Sequence, residues 1–420
     1  MKVLQVHNLQ SAYGGADEVI RLESAALRSK AIDVELYTVS TTEALDAHGR
    51  TSVALRSVVN RTAYQELLQR IRDFQPDVVH FHTPFPLLSL AAFRAAYVEG
   101  VASVVTCHSF RFSCIAGNLL RDGQSCSLCV GKKLKWPGIV HRCYRDSVSG
   151  SAALVAGIGL HRTVWSYQDW INRFVVMTPF ARDVLAKDVG NAERIVVKPN
   201  FSEDLGFVRQ PNVDRGSVGL RFVFAGRLEP EKGIKTLMEA WRQRSAQGAE
   251  SQLVVAGDGS LRAEVEELVR KDRTVRYEGF LSRKEMRVLL QSADCVLFPS
   301  EWPEAGPTLA MMEAFSVGAP ILAADEPNFA SAISQGQNGW VFQGGSTADL
   351  ARALSSVEAL GSDNLAKLRV ASRRTFDGRF SEAVVVPKLI AIYEEALTQA
   401  AFSNHTSSGT KVRLAERAEG

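Results

Sequence analysis

The chain has 420 residues, of which 46% are apolar and 23% charged, and its 49 basic and 46 acidic residues give a net charge of +3. This charge is too balanced to indicate nucleic acid or an acidic membrane as an obligatory partner, since such partners select a strong basic excess. A single hydrophobic core seldom extends through a chain of this length, so we expect two domains.

The apolar segments do not predict export or membrane insertion. The first ten residues, MKVLQVHNLQ, have too short an apolar run for a secretory signal and no small-residue cleavage site. The longest apolar stretch, residues 151–160, is well short of a bilayer span. The six cysteines are expected to be reduced. We therefore expect a cytoplasmic protein.

The first 200 residues alternate short apolar runs with helical patterns. A strand at residues 2–7 is followed by the turn Gly14-Gly15, a helical pattern from Ala16 to Leu27, and a second strand at residues 34–39. Further strands are predicted in PDVVHFH (76–82), ASVVTCH (102–108), FVVMTP and RIVVKPN. This alternation indicates a parallel sheet covered by helices on both faces.

The pattern then repeats. Residues 201–219 are polar and contain Gly and Pro, as expected of a hinge, and six new apolar runs follow: LRFVFAG, QLVVAGDG, VRYEGF, DCVLFPS, APILAAD and GWVF. We therefore predict an α/β protein with two Rossmann-like, doubly wound domains, residues 1–205 and 206–379. Such sheets bind ligands at the carboxyl ends of their strands, so a cleft between the domains is the expected site. Residues 401–420 lack a core pattern and are expected to be disordered.

One loop of the second domain has the features of an anion site. Residues 223–241, VFAGRLEPEKGIKTLMEAW, give a strand, Gly226, Arg227, a charged loop, Lys232-Gly233 and a helix. Cations beside a helix N-terminus suit a pyrophosphate, although two solvated loop cations would give the same sequence. The AGDG turn with Gly257 is a weaker signal. No strand is followed by GxGxxG, so a nicotinamide cofactor is not supported.

Two carboxylates lie in unusual sequence surroundings. In residues 300–315, SEWPEAGPTLAMMEAF, Glu304 falls in a Pro/Gly-rich turn and Glu313 inside an otherwise apolar helix. A buried carboxylate without a partner is costly or takes up a proton. We therefore expect Glu313 to meet a ligand.

The order of these motifs resembles the retaining GT-B glycosyltransferases of family 4. The resemblance extends from Val3 to about Leu397 and is carried by the Gly14-Gly15 turn, PDVVHFH, VVTCH, FAGRLEPEKG, VAGDG and FPSEWPEAGPTLAMMEAFSVGAPILA. It implies the GT-B fold and transfer of a sugar from a nucleotide-diphosphate sugar, UDP being preferred over GDP, to a hydroxyl of a glycan, glycolipid or small molecule. It also implies that the last helix, in residues 380–400, returns to the first domain, and that no catalytic metal is needed.

The resemblance also implies roles for individual residues. Arg227 and Lys232 would bind the donor diphosphate, Glu313 the ribose, and His108 would orient the reacting groups. Glu304 would bind sugar hydroxyls, but the family spacing E-x7-E is E-x8-E here, so Glu301 is an alternative, and capping of the next helix is another role for Glu304. The other donor-binding residues implied are Gly14, Gly15, Gly257, Phe280, Thr308 and Leu309.

A basic insertion, residues 109–146, contains four of the cysteines. The spacing Cys114-x11-Cys126-x2-Cys129-x13-Cys143 predicts a structural tetrahedral zinc, and four unligated cysteines are the alternative. Cys107 and Cys295 lie in apolar strands and are expected in the core.

The same insertion supports a rival class of function. Its cations and interleaved aromatic residues could instead bind nucleic acid or a phosphorylated partner: Lys132, Lys133, Lys135, Trp136, Arg142, Tyr144 and Arg145. In a transferase with a lipid-linked or polysaccharide acceptor, the insertion could touch the inner face of a membrane. This is one patch against six correlated motifs, so a transferase that does not bind nucleic acid is favoured. Within enzymes, a GT-B sugar-nucleotide epimerase or phosphorylase is the alternative.

Overall fold

The computed structural model describes residues 1–9, 14–210, 219–245 and 250–407. The chain divides into two compact units. The first unit comprises Met1–Asn118, Ser127–Lys198 and Val386–Gly420, and the second comprises Leu119–Cys126 and Pro199–Val385. The chain thus leaves the first unit at Lys198, a few residues before the boundary expected near residue 205.

The first unit contains the parallel sheet expected from the sequence. In chain order, the strands of the first 200 residues are β1 (Lys2–Leu9), β2 (Asp33–Ser40), β3 (Val78–Phe81), β4 (Ala102–Thr106), β5 (Leu120–Arg121), β6 (Gln124–Ser125), β7 (Arg173–Val176) and β8 (Ile195–Val197). β5 and β6 form a short antiparallel hairpin. The other six form a parallel sheet in the order β2-β1-β3-β4-β7-β8.

The helices of the same residues are α1 (Gly15–Ser29), α2 (Thr41–Val58), α3 (Arg61–Phe74), α4 (Ala91–Val98), α5 (Pro137–Val140), α6 (Val148–Thr163) and α7 (Pro179–Val189). Two of them, α3 and α7, begin or end at clear sequence signals. The side chain of Asn60 caps α3, and that of Thr178 caps α7, where Pro179 occupies the first turn. Gly190 ends α7 at a φ of 79°, a left-handed conformation that glycine adopts without steric cost.

The second unit repeats the arrangement. Its strands are β9 (Arg221–Ala225), β10 (Gln252–Ala256), β11 (Val275–Gly279), β12 (Cys295–Phe298), β13 (Ile321–Ala324) and β14 (Gly339–Phe342), in the parallel order β11-β10-β9-β12-β13-β14. Its helices are α8 (Ile234–Ser245), α9 (Arg262–Lys271), α10 (Arg283–Ser292), α11 (Leu309–Ser316), α12 (Pro327–Ala330), α13 (Thr347–Glu358) and α14 (Ser362–Thr375). Two parallel α/β sheets are confirmed.

The last helix, α15 (Glu382–Ser407), contributes to the core of the first unit. Its residues Leu389, Ile392, Tyr393 and Ala396 are buried against strand residues of the first sheet, including Val78. The helix extends through residues 401–407, which the sequence assigned to a disordered tail; the rest of that tail, 408–420, lies outside the described residues, as does 211–218 of the expected hinge.

The apolar stretch at residues 151–160 belongs to α6, whose Leu154, Val155 and Ile158 are buried. None of the described helices combines the length and the apolar character that crossing a bilayer requires.

Leu389→Ala should destabilise the first unit, since Leu389 is fully buried in its core. We expect a loss of about 2–5 kcal/mol in the free energy of unfolding, the usual cost of the cavity left by a truncated leucine. Urea unfolding, with hydrogen exchange at the amides of β1, β3 and β4, measures the loss. Glu394→Ala, on the exposed side of the same helix, is the control. Equal stability of the two variants would show that α15 does not support this core.

Candidate functional site

The residues expected to bind the donor follow successive strands of the second sheet. Arg227 comes two residues after β9, Gly257 directly after β10, Phe280 directly after β11, and Glu301 three residues after β12. Because the strands are parallel, their carboxyl ends meet at one edge of the sheet. The fold therefore gathers these residues from four separate parts of the chain at this edge.

Lys232 and Glu304 are in direct contact at this edge. Lys232 Nζ forms an ion pair with Glu304 Oε1, which also accepts a hydrogen bond of 2.9 Å from Trp302 Nε1. The ammonium group lies 5.3 Å from the centre of the Trp302 ring, within range of a cation–π interaction. The sequence analysis missed Trp302, although an indole between two glutamates in a Pro-rich turn was a signal for it.

The cap of α11 bears on the role of Glu304. The side chain of Thr308 accepts a hydrogen bond of 3.3 Å from Met311 N and occupies the N-cap position. The helix thus has a side-chain cap without Glu304. Glu313, which was expected to be enclosed in an apolar helix, is half-buried, as are Thr308 and Leu309.

Arg227 and Glu301 are less enclosed by neighbouring side chains than Lys232 and Glu304. Arg227 is largely exposed, with Nη2 at 3.3 Å from Glu231 Oε1. Glu301 accepts a hydrogen bond from the hydroxyl of Thr236. Phe280 is also exposed, to 84%. These side chains are accessible to a ligand at the edge of the sheet.

Two glycines in this region are required by the backbone. Gly233 has a φ of +69°, and a Cβ there would lie 1.8 Å from the carbonyl oxygen of Pro299. Gly257 has a φ of +134°, and a Cβ there would lie 1.8 Å from the carbonyl oxygen of Gly226. Close backbone packing explains both residues without any ligand.

Glu326 and Asn328 were also missed by the sequence analysis. Glu326 follows β13 and caps α12, accepting hydrogen bonds of 3.1 Å from Asn328 N and 3.0 Å from Phe329 N. Asn328 Nδ2 donates to the carbonyl oxygen of Glu304 and so ties this cap to the Glu304 turn. Burial raises the pKa of Glu326 to about 7, and the charge of Glu304 acts in the same direction. The sequence Glu326-Pro327 after a strand was the available signal, because Pro favours the first helical position.

In the first unit, several polar side chains lie at the carboxyl edge of the sheet. His82 directly follows β3, His108 comes two residues after β4, and Lys198 directly follows β8. His82 Nδ1 lies 3.0 Å from His108 Nε2, and Lys198 Nζ donates a 2.8 Å hydrogen bond to Glu23 Oε1, on α1. As expected from strand alternation, His80 and His82 are close neighbours, with ring centres 4.1 Å apart, whereas Phe81 packs against Phe93 of α4.

Glu23, His80 and His82 come close enough together to hold a metal ion, with ligand atoms within 4.8 Å of one another. Glu23 Oε1, however, is paired with Lys198, and both ring nitrogens of His80 are bonded, Nδ1 to Tyr393 OH at 2.7 Å and Nε2 to Thr106 Oγ1 at 2.8 Å. A metal ion would have to displace some of these contacts. We therefore interpret the group as a hydrogen-bonded network.

Burial acts on all three histidines at this edge. It lowers the pKa of His80 to about 4 and that of His108 to about 3, and places the pKa of His82 well below its ordinary value. The three rings are therefore neutral near pH 7.

The Gly14-Gly15 turn is fixed by a carboxylate of α1. Asp17 Oδ2 accepts a 2.7 Å hydrogen bond from Gly14 N, and Oδ1 lies 2.8 Å from His7 Nε2. A Cβ at Gly15 would meet no atom within 4 Å. The side chains of Asp17 and His7 therefore leave space for a ligand beside Gly15, at the N-terminus of α1.

The cysteines of the insertion differ in exposure. Cys114 and Cys129 are buried, whereas Cys126 and Cys143 are half-buried, and the described residues contain no disulfide. Burial raises the pKa of Cys129, and nearby Cys114 adds to the effect. Within the described part of the chain, Cys114, Cys129 and Cys143 do not bring their three sulfur atoms within 4.8 Å of one another, as the ligand atoms of Glu23, His80 and His82 do. Cys107 and Cys295 are buried.

One cation of the insertion cannot serve the binding role considered for it. Lys135 is only 1% exposed, and its Nζ donates a 2.7 Å hydrogen bond to Asp188 Oδ1. A lysine that is buried and paired with an aspartate is not available to a phosphate. Lys132, Lys133, Arg142 and Arg145 remain at least partly accessible.

Two family models match this chain. Glycosyltransferase Family 4 matches residues 13–202, and Glycosyl transferases group 1 matches residues 218–374. The two matches between them include every strand of the second sheet and every strand of the first sheet except β1, which ends at Leu9 before the first match begins. The chain therefore belongs to the family 4 glycosyltransferases.

Individual proteins that are similar to this chain are also named as glycosyltransferases. The 2-deoxystreptamine glucosyltransferase of Streptomyces kanamyceticus is 27% identical over 255 residues, 56% of this chain and 65% of that protein. The amylovoran biosynthesis glycosyltransferase AmsK of Erwinia amylovora is 26% identical over 182 residues, 42% of this chain and 44% of that protein. The chain spans about half the length of the curated relatives it matches.

A solved structure extends the likeness over nearly the whole chain. HepE of Anabaena, in complex with UDP and glucose, aligns with a TM-score of 0.63 at 17% identity, covering 93% of this chain and 98% of that one. At this identity the likeness shows the fold alone. It confirms the GT-B fold that the sequence implied.

Glu326→Gln should change how stability depends on pH. The folded-state pKa, about 7, is above the ordinary carboxyl value, so the folded protein binds a proton that the unfolded chain releases. The stabilisation is therefore complete below about pH 4.5 and is lost as the pH rises to about 7, by on the order of 3 kcal/mol.

Free energies of unfolding from denaturant titrations at pH 4.5 and pH 7.5 measure this loss. The difference between wild type and Glu326→Gln isolates it from the histidines, whose lowered pKa values act with the opposite sign. Glu264→Gln, on the surface of α9, is the control. Parallel pH curves for wild type and Glu326→Gln would contradict the prediction.

Proposed function

We propose that this protein transfers a sugar from a UDP-sugar to a hydroxyl of a glycan acceptor, with retention of anomeric configuration. The observation that carries the proposal is the group formed by Lys232, Glu304 and Trp302 at the carboxyl edge of the second sheet, with Arg227 in the adjacent loop. It supplies cations for a diphosphate and a carboxylate for sugar hydroxyls. UDP and glucose in HepE, and amylovoran biosynthesis in the name of AmsK, support the choice of donor and acceptor.

The chemistry assigned to the second unit is stabilisation of a leaving group. Negative charge grows on the diphosphate as the glycosidic bond breaks, and cations positioned beforehand lower the barrier. The exposed ion pair of Arg227 with Glu231 is one that a diphosphate can replace. Lys232 forms an ion pair with Glu304. A bound diphosphate would compete with this carboxylate for the ammonium group of Lys232, and the released carboxylate could then accept hydrogen bonds from the sugar.

The proposed transfer needs few protein bases. In a front-face retaining reaction, the leaving diphosphate itself helps to deprotonate the acceptor hydroxyl. His108 of the first unit, neutral because burial lowers its pKa, would orient a reacting hydroxyl as a hydrogen-bonding group and not as a charged acid.

Product analysis tests the function. The protein is incubated with UDP-glucose, UDP-galactose or UDP-N-acetylglucosamine and a panel of oligosaccharides, and the anomeric configuration of any product is determined. A new glycosidic bond with retained configuration is the expected result. An isomerised sugar nucleotide without a glycoside would favour an epimerase, and phosphate-dependent cleavage of a glycan would favour a phosphorylase. An inverted product would overturn the retaining mechanism.

Arg227→Ala and Glu313→Gln should impair the reaction differently. Arg227 faces charge that develops during bond breaking, so its loss should lower turnover by about two to three orders of magnitude even at saturating donor. Glu313 is assigned to the ribose, whose contacts change little during the reaction, so Glu313→Gln should mainly raise the donor KM.

Steady-state kinetics across donor concentrations separate these effects, with Arg270→Ala as a surface control far from the loop in sequence. Equal losses of turnover at saturation, with an unchanged donor KM, would refute the assigned roles. If the wild type forms no glycoside at all, the transfer function itself is refuted.

We also propose a structural zinc in the cysteine insertion, with Cys114, Cys126, Cys129 and Cys143 as ligands. The spacing of the four residues and the thiol chemistry support it. Protein purified without a histidine tag should contain about one zinc per chain, and Cys129→Ser should lose it and lower the melting temperature. Cys295→Ser, at a buried cysteine outside the set, should retain the metal. Zinc well below one per chain would contradict the proposal.

A further inference from the structure

A line of buried polar side chains in the first unit ends at His108. Glu23 Oε1 is paired with Lys198 Nζ at 2.8 Å, Glu23 Oε2 lies 3.7 Å from His82 Nε2, and His82 Nδ1 lies 3.0 Å from His108 Nε2. Within the described residues, Glu23 Oε2 and His82 Nε2 are buried and have no hydrogen-bond partner. Because both atoms are buried and 3.7 Å apart, water screens their electrostatic interaction little.

The rings of His82 and His108 meet edge to edge. Their planes differ by 16° and their centres are 5.3 Å apart, while the two facing nitrogens are only 3.0 Å apart. The contact therefore runs through the ring edges and is a hydrogen bond between nitrogens. One nitrogen must carry the hydrogen and the other must accept it, because a neutral imidazole has one donor and one acceptor. Burial, together with the nearby groups His7, His80 and Lys198, lowers the pKa of both rings, so neither takes up a second proton near pH 7.

The carboxylate of Glu23 distinguishes the two arrangements of this hydrogen. If His82 donated through Nδ1, its Nε2 would present a lone pair to the carboxylate oxygen at 3.7 Å, which is repulsive. If His108 donates through Nε2 instead, His82 keeps its hydrogen on Nε2, on the side of the carboxylate, which is attractive. The second arrangement is favoured, and the effect is large because the groups are buried.

We propose that Glu23, acting through His82, is a positioning residue that holds His108 with its hydrogen on Nε2 and its Nδ1 free to accept a hydrogen bond. His108 is half-buried, and its only hydrogen bond among the described residues is the one to His82. A ligand group that meets Nδ1 must then be a donor. Resting on the proposed transfer function, that group is a hydroxyl of the sugar or of the acceptor.

Glu23→Gln should invert the arrangement. The amide oxygen should stay against the ammonium of Lys198, because the amide NH2 would be repelled there. The NH2 group then faces His82 Nε2 as a donor. His82 must accept at Nε2 and donate from Nδ1, so that His108 accepts at Nε2 and carries its hydrogen on Nδ1. The same ring would change from a hydrogen-bond acceptor to a donor towards a ligand.

Nitrogen chemical shifts of ring-labelled histidine report directly which nitrogen carries the hydrogen. The signals of His108 are assigned by their loss in His108→Asn. We expect the hydrogen on Nε2 in the wild type and on Nδ1 in Glu23→Gln. Asp188→Asn, which neutralises another buried carboxylate paired with a lysine in the same unit, is the matched control and should keep the wild-type pattern. A hydrogen on Nδ1 of wild-type His108, or an unchanged pattern in folded Glu23→Gln, would overturn the proposal; the wild-type result decides even if the variant does not fold.

Kinetics separate this proposal from the proposed function. Glu23→Gln should lower kcat/KM by about tenfold or more, since a donor replaces an acceptor towards a hydroxyl, whereas Asp188→Asn should not. The expected tautomer in a wild type that forms no glycoside would refute the transfer function and leave the positioning role intact. An active wild type with the opposite tautomer would refute the positioning role alone. A stoichiometric metal ion that is lost in Glu23→Gln would also overturn the proposal, because a metal would occupy the nitrogen lone pairs.

Discussion

In each large sheet, every strand runs parallel to its neighbours, and the position of the candidate residues depends on this constraint. Parallel pairing places the carboxyl ends of all strands at one edge, so residues distant in the chain become neighbours without any direct signal between them. Lys232 and Glu304 are 72 positions apart and form an ion pair, and His82 and His108 are 26 positions apart and share a hydrogen bond. In each unit the fold thus brings polar groups together at the carboxyl edge of the sheet, while the apolar strands fill the interior.

The polar groups of the first unit are buried, which limits the forms they can take. An unpaired charge in such surroundings is expensive, so Glu23 is paired with Lys198 and the neighbouring histidines are neutral. A neutral histidine still forms directional hydrogen bonds, and its ring hydrogen lies on either Nδ1 or Nε2. A carboxylate behind a histidine can therefore set the hydrogen-bonding character of the face that the histidine presents.

In the second unit, by contrast, the candidate binding groups are only partly buried. Arg227 is largely exposed and Lys232 is held between Glu304 and Trp302. Arg227, as an exposed cation, can exchange its carboxylate partner for an incoming diphosphate at small cost. The side chain of Thr308 caps α11 shortly after the Glu304 turn, and Asn328 ties the Glu326 cap to the backbone of that turn. The rigid parts of this edge are thus the backbone turns, and the exchangeable parts are the side chains.

The sequence by itself determined the strands of the two large sheets, the parallel character of both sheets and the family, because short β-branched runs, turn glycines and motif order are local properties. It did not predict the short hairpin of β5 and β6. Cys107 and Cys295 in the core, and the shared face of His80 and His82, also followed from local alternation. Tertiary structure alone decided what each polar residue contacts. In the structure, Glu304 contacts Lys232 and Trp302. Lys135, which was expected as an accessible cation, is buried and paired with Asp188. Glu23 lies close to His82. These outcomes depend on distances between residues far apart in the chain, which no local pattern encodes.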